Sequence, residues 1–135
     1  MRIESIDAHP QHVPTVARWI WEQWRHHSGL TLEQTRVRLL EQPDCPTPLL
    51  ALDVDQPIGV LGFGRFDYQA KPPPVLFIDV LYVRRDRRGL GIGSALLSRG
   101  LASARTAADR RLHVYTDIPR FYEQRGFTLL DQLPG

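Results

Sequence analysis

The sequence predicts one domain of α/β class, a mixed sheet flanked by helices. Three observations carry that expectation. Two amphipathic helical segments come early in the chain, a pair of apolar strands joined by a turn follows them, and the second half then runs strand, helix, strand. The length of 135 residues suits a single unit (1–135) with a real core but not two. An apolar share of 42% with 24% charged residues is that of an ordinary globular chain.

Taken in order, residues 2–6 alternate as a short first strand. Pro10 and Pro14 bracket a helix start, and Val13, Val16, Ala17, Ile20 and Trp24 recur at helical spacing. A second helix is expected after Thr31, with Glu33 and Glu41 polar and Leu32, Val37, Leu39 and Leu40 apolar. Pro43, Pro46 and Pro48 mark a loop. Residues 49–54 and 58–66 read as strands of a hairpin turning at 53–57. Gly59, Gly62 and Gly64 weaken the second of these and suggest a bulge or a close neighbour. The Lys71-Pro72-Pro73-Pro74 segment reads as a loop. A strand over 75–83, a helix over 92–107, a strand over 111–116, a helix over 119–125 and a last strand over 126–132 complete the order.

The segment 75–97 holds the strongest chemical signal. An apolar strand enters Arg88-Gly89-Leu90-Gly91-Ile92-Gly93, and an amphipathic helix leaves from it. Three glycines in five positions allow close backbone approach, and the first amides of a helix lack intrahelical acceptors, so the turn is a ready anion site. Arginines at 84, 85, 87 and 88 strengthen the field. A nucleotide P-loop would need Lys-Ser or Lys-Thr, where this helix continues Ser94-Ala95-Leu96. A dinucleotide fingerprint would need a third glycine at the sixth position, which is Ser94 or Leu96 depending on the start. The order Arg-x-x-Gly-x-Gly after Leu81-Tyr82-Val83 instead resembles the acyl-CoA loop of the GNAT acetyltransferase superfamily. A second stretch, Phe121-Tyr122-Glu123-Gln124-Arg125-Gly126-Phe127, resembles that family's Phe-Tyr-x-x-x-Gly-Phe signature. Pro119 suits the first position of its helix, and Gly126 suits its end.

The resemblance implies a mostly antiparallel sheet whose fourth and fifth strands splay apart. It implies acetyl-CoA as co-substrate, its pyrophosphate on Arg88, Gly89, Leu90, Gly91, Ile92, Gly93 and Ser94. The pantetheine arm and thioester oxygen would meet the backbone of Leu81, Tyr82 and Val83, and Tyr122 would protonate the leaving thiolate. Leu81 and Val83 are expected to face the ligand and Tyr82 to point away. Asp79 is expected to share the ligand-facing parity, which makes it a candidate base and acceptor contact. His113 is the other candidate base, since imidazole ordinarily titrates near neutrality. A base matters because neutralising a lysine-like amine at pH 7 costs roughly 4–5 kcal/mol, against about 1 kcal/mol for a peptide α-amine. The run Arg111-Leu112-His113-Val114 resembles protein N-terminal acetyltransferases, including the actin type. In the family the first two helices and their loop line the acceptor pocket, here with Trp19, Trp21, Glu22, Trp24, His26 and His27. Of these, Glu22 and Trp24 are the candidate contacts for a cationic amine.

Composition narrows the partners. The formal charge of +2 is modest, and the densest arginine cluster falls on the expected CoA loop, so no nucleic-acid partner is implied. No apolar run is long enough to span a bilayer and no leader is visible, so a cytosolic location and no membrane partner are expected. Cys45, the lone cysteine, has no partner for an internal disulfide, and the five histidines show no metal-ligand spacing. The family usually has a further closing strand where this chain reaches Leu133-Pro134-Gly135, so an open acceptor side or a homodimer is expected. The expected activity is transfer of acetyl from acetyl-CoA to a primary amine, of a small molecule or a peptide N-terminus, by direct attack. The alternative is a non-catalytic acyl-CoA-binding or interaction module on the same fold.

Overall fold

The structure is a computed structural model that describes residues 1–106 and 111–130. Strand β1 (Arg2–Ser5) leads through two short 3-10 turns into α1 (Val13–Gln23). Val13, Val16, Ala17 and Ile20 form the buried stripe of α1, as the three-four spacing requires. Helix α2 (Leu32–Leu40) starts on a reciprocal cap: the Gln34 amide donates to Thr31 Oγ1, and the Thr31 amide donates to Gln34 Oε1. Strands β2 (Leu49–Asp53), β3 (Gln56–Tyr68) and β4 (Lys71–Val83) follow, then α3 (Ile92–Thr106), β5 (His113–Val114) and α4 (Pro119–Glu123).

The strands form one sheet in the order β1-β2-β3-β4-β5. The first three pairings are antiparallel, and β4 pairs with β5 in parallel. Helices α1 and α2 cover one face, over Ile6, Leu50, Leu52, Val60 and Val80. Helix α3 covers the other, over Ala51, Leu61, Phe63, Leu76 and Ile78. Full burial of each of these larger side chains stabilises the domain by about 1.5–3 kcal/mol before entropy is counted. Glycine makes the close packing of α3 possible: a Cβ on Gly59 would lie 3.1 Å from Leu96 Cδ1 and 3.1 Å from the Tyr82 carbonyl. Among the described residues, no helix is long and apolar enough to cross a membrane.

Three expected elements differ. The Lys71–Pro74 segment is strand, not loop. Its prolines sit between the pairs Phe66–Val75 and Tyr68–Lys71, an irregular stretch where three residues face one and no ladder N–H is demanded of them. Strand β5 is only His113–Val114, shorter than 111–116. The expected last strand is not formed over residues 126–130, where Gly126 at φ +93° turns the chain and Leu129 and Leu130 are both exposed, so no face alternates. Its remaining residues lie outside the described ones.

Candidate active site

The turn between β4 and α3 is built as an array of free donors. The amides of Gly89, Leu90, Gly91, Ile92, Gly93 and Ser94 have no acceptor among the described residues, and the first intrahelical-type bond is Ala95 N–H to the Gly91 carbonyl. Gly89 (φ +80°) and Gly91 (φ +83°) hold left-handed conformations that L side chains adopt at a cost. A Cβ at either would meet nothing within 4 Å, so glycine serves the backbone turn there and the space above it stays open. Amides so arranged, with the positive end of the α3 dipole, are donors of the kind that can hold an anion.

The arginines around it divide. Arg84 pairs with Asp86, and Arg87 with Asp53 at 2.5 Å, so these two brace the loop against its own carboxylate and the β2–β3 turn. The Arg84 and Arg87 hydrogen bonds hold the Asp86 and Asp53 carboxyls below their ordinary range. Arg85 and Arg88 have no carboxylate partner among the described residues. Arg88 Nε donates to the Val83 carbonyl at 2.8 Å and its guanidinium lies 5.3 Å over the Tyr82 ring. The positive field therefore comes from two of the four side chains rather than all of them.

Strand β4 changes partners along its length. It pairs with β5 only at Phe77–His113 and Ile78–Val114, and from Asp79 to Val83 no β5 residue lies opposite. On its other side, the β3 register jumps between Gly62–Val80 and Phe63–Ile78, so Asp79 is an extra, bulged residue. The bulge corrects one expectation. Leu81 and Val83 pack on the α3 side and Tyr82 on the α1 side. Asp79 does not share the parity of Leu81 and Val83; its carboxylate points to the α1–α2 face. There Oδ2 accepts from Arg25 Nη2 at 2.9 Å and lies 3.5 Å from Arg38 Nε.

The second motif meets the first through a residue that sequence inspection passed over. Arg125 Nε and Nη2 both donate to Ser94 Oγ, at 2.8 and 2.5 Å, and Nη1 donates to the Phe121 carbonyl at 2.7 Å. Its guanidinium lies 4.0 Å over the Phe121 ring. Tyr122 is buried at 6% exposure between Phe121 and Phe127, and burial raises its hydroxyl above the ordinary value of 10.0. Tyr122 and His113 line the same broad cleft beside β5. The His113 ring stands 5.2 Å from Phe77 and 5.4 Å from Tyr68, and its Nδ1 is buried with no hydrogen-bond partner among the described residues. Such an orphan nitrogen is a group able to take or pass a proton.

The acceptor-side residues are less gathered. Glu22 is exposed on α1, 3.9 Å from Arg18, and lines neither the cleft nor the cavity at Asp79. Trp24 is 38% exposed with its ring 6.0 Å from Tyr82, which Trp19 also flanks at 5.4 Å. Trp21 instead donates Nε1–H to the Leu30 carbonyl. Among the described residues, no three His, Cys, Asp or Glu side chains come together as metal ligands.

Residues 13–127 match the family model described as "Acetyltransferase (GNAT) family". Among solved structures, a protein of Arthrobacter sp. FB24 named as an acetyltransferase is 30% identical, with a TM-score of 0.63 over 94% of this chain and 83% of that one. The apo aminoglycoside antibiotic 6'-N-acetyltransferase of Acinetobacter haemolyticus is 18% identical, with a TM-score of 0.71 over 100% and 96%. A Pyrococcus furiosus protein named as an acetyl transferase is 18% identical, with a TM-score of 0.70 over 99% and 97%. The last two likenesses establish the fold alone. No curated protein matches the sequence.

Proposed function

The chain belongs to the acetyltransferase (GNAT) family, and from that premise we propose that it moves the acetyl group of acetyl-CoA to a primary amine by direct attack in a ternary complex. The observation that carries the reading is the run of unbonded amides from Gly89 to Ser94 at the N-terminus of α3. Donors so arranged fit a diphosphate, and the open space over Gly89 and Gly91 leaves room for one. Acetyl-CoA, when bound, supplies an activated thioester.

The chain's own groups do the rest. The backbone of Leu81, Tyr82 and Val83, without a β5 partner, holds the pantetheine arm and thioester oxygen. His113 accepts the amine's proton, directly or through one water, in preference to Asp79, because the Asp79 carboxylate is engaged by Arg25 and Arg38 on the α1–α2 face while His113 Nδ1 has no partner among the described residues. The amine nitrogen forms the new C–N bond as the C–S bond breaks, and Tyr122 gives its proton to the departing sulfur. Burial keeps that phenol protonated throughout the physiological range. A second copy of the chain covering the outer edge of β5, beside exposed Ile118, is the accompanying proposal for assembly, and light scattering tests it.

Titration calorimetry with CoA and acetyl-CoA, followed by a thiol-release screen over amines, tests the function. Binding together with turnover of at least one amine is expected. A protein that ignores CoA refutes the reading outright; one that binds acetyl-CoA and acetylates no amine is a binding module instead.

A further inference from the structure

Asp79 is the first residue of β4 beyond the β5 pairing, so its surroundings are what an acceptor meets on the α1–α2 face of the opening. Two guanidiniums stand there against one carboxylate. Arg25, from the turn after α1, hydrogen-bonds Asp79 Oδ2 at 2.9 Å. Arg38, from α2, reaches the same oxygen only at 3.5 Å, and its Nε is buried without any hydrogen-bond acceptor among the described residues. Neither arginine has a second carboxylate within 4.0 Å among the described residues. All three side chains are largely covered, with exposures of 17%, 35% and 13% for Arg25, Arg38 and Asp79. A surplus positive charge and an unfilled N–H on a side chain still partly open to solvent call for an anionic oxygen.

The wall next to this pair is aromatic. The Arg38 guanidinium lies 5.4 Å over Phe66, Phe66 meets Phe77 edge-on at 5.7 Å, and exposed Tyr115 stacks on Phe77 at 5.0 Å. Phe77 itself is buried, so the surface offered is that of Phe66 and Tyr115, both packed on it as is His113, the proposed base. We infer that the acceptor is an amine carrying its own carboxylate, an α-amino acid with an apolar or aromatic side chain. The carboxylate sits on Arg38 and Arg25, the side chain lies along Phe66 and Tyr115, and the amine faces the opening between β4 and β5. Arg38 and Arg25 are then specificity-determining residues. The inference rests on the acetyl-transfer reading above.

The test compares L-phenylalanine, L-phenylalaninamide and phenethylamine, which share an amine and a ring but not the carboxylate. Phenylalanine should exceed the other two in kcat/KM by about 10- to 100-fold, the worth of a charge-assisted hydrogen-bond pair. Arg38→Gln should erase most of that ratio through KM, and Arg38→Lys should restore part of it; CoA affinity by calorimetry verifies that each variant is folded. Independently of turnover, calorimetry on the CoA-loaded wild type should show heat with phenylalanine and none with phenethylamine at equal concentration. Equal turnover of all three acceptors, or an unchanged ratio in Arg38→Gln, overturns the carboxylate inference and leaves the transferase standing. Absence of CoA binding, or of acetylation of any amine, overturns both.

Discussion

Alanine at Gly91, compared with alanine at Gly29, separates the job of the loop from the mere cost of its shape. The two glycines share a left-handed φ, +83° and +78°, and in both cases an added Cβ meets nothing within 4 Å. An L residue in that conformation costs roughly 1–2 kcal/mol, with no clash to add. Both variants should therefore lose similar stability, a fall in thermal midpoint of about 3–8 °C for a domain of this size. Only Gly91 lies inside the run of free amides. If alanine pulls that turn toward negative φ, at least one phosphate contact is lost, about 1.5–3 kcal/mol for a hydrogen bond to a charged group. CoA affinity should then drop about 10- to 150-fold in Gly91→Ala and stay within a factor of about two in Gly29→Ala. Thermal denaturation and titration calorimetry on the pair read both quantities. Equal CoA affinity in the two variants, with equal loss of stability, would refute the claim that these amides grip the diphosphate.

Tyr122→Phe should retain CoA binding and lose about 10²- to 10⁴-fold in thiol release; because burial raises the phenol above its ordinary 10, any wild-type decline of rate below pH 9 must belong to another group. Gly59→Ala forces a methyl to 3.1 Å from Leu96 and from the Tyr82 carbonyl, so chemical denaturation should show a loss of about 1–3 kcal/mol; an unchanged midpoint would mean α3 can shift freely on the sheet. The Asp53 and Asp86 carboxyls are depressed in the folded chain by Arg87 and Arg84, so their contribution is full at neutral pH. It is lost as pH falls through the ordinary aspartate range, about 4, and below. Asp53→Asn should flatten that acid-side fall in melting temperature, and an unaltered profile would remove Arg87–Asp53 as the brace of the loop.

What the sequence disclosed depended on the kind of chemistry involved. The left-handed turn before α3 was legible because such a backbone is spelled in glycines, and the stripe of α1 because burial repeats at helical spacing. The reciprocal cap of Thr31 and Gln34 was written in the chain too, as Thr-x-x-Gln before an apolar run, and went unread. Asp79 was misplaced for a different reason. Alternation along β4 predicts its side only if the ladder is regular, and the extra residue arises from a mismatch with Gly62 and Phe63 on another strand. The partners Arg25 and Arg38 were equally invisible, since nothing local in Trp24-Arg25-His26 points to a carboxylate 54 positions away. Strand β5 was overestimated because only two of its residues find a partner.

On the proposed reading, the clamp between Arg125 and Ser94 ties the two motifs into one site. A bound acyl-CoA has a fixed reach from its pyrophosphate to its sulfur, so an acid that serves the sulfur must stand at a set distance from the amides that hold the phosphate. Those amides belong to the start of α3 and the acid to α4, elements separated by a connection that includes β5. Packing alone fixes such a separation loosely, because apolar contacts have no direction. Arg125 adds direction: two N–H bonds to Ser94 on the loop side, one to the Phe121 carbonyl and a ring contact on the tyrosine side. The guanidinium also stays cationic within reach of the same helix terminus, so the brace that positions Tyr122 adds to the field that attracts the phosphate.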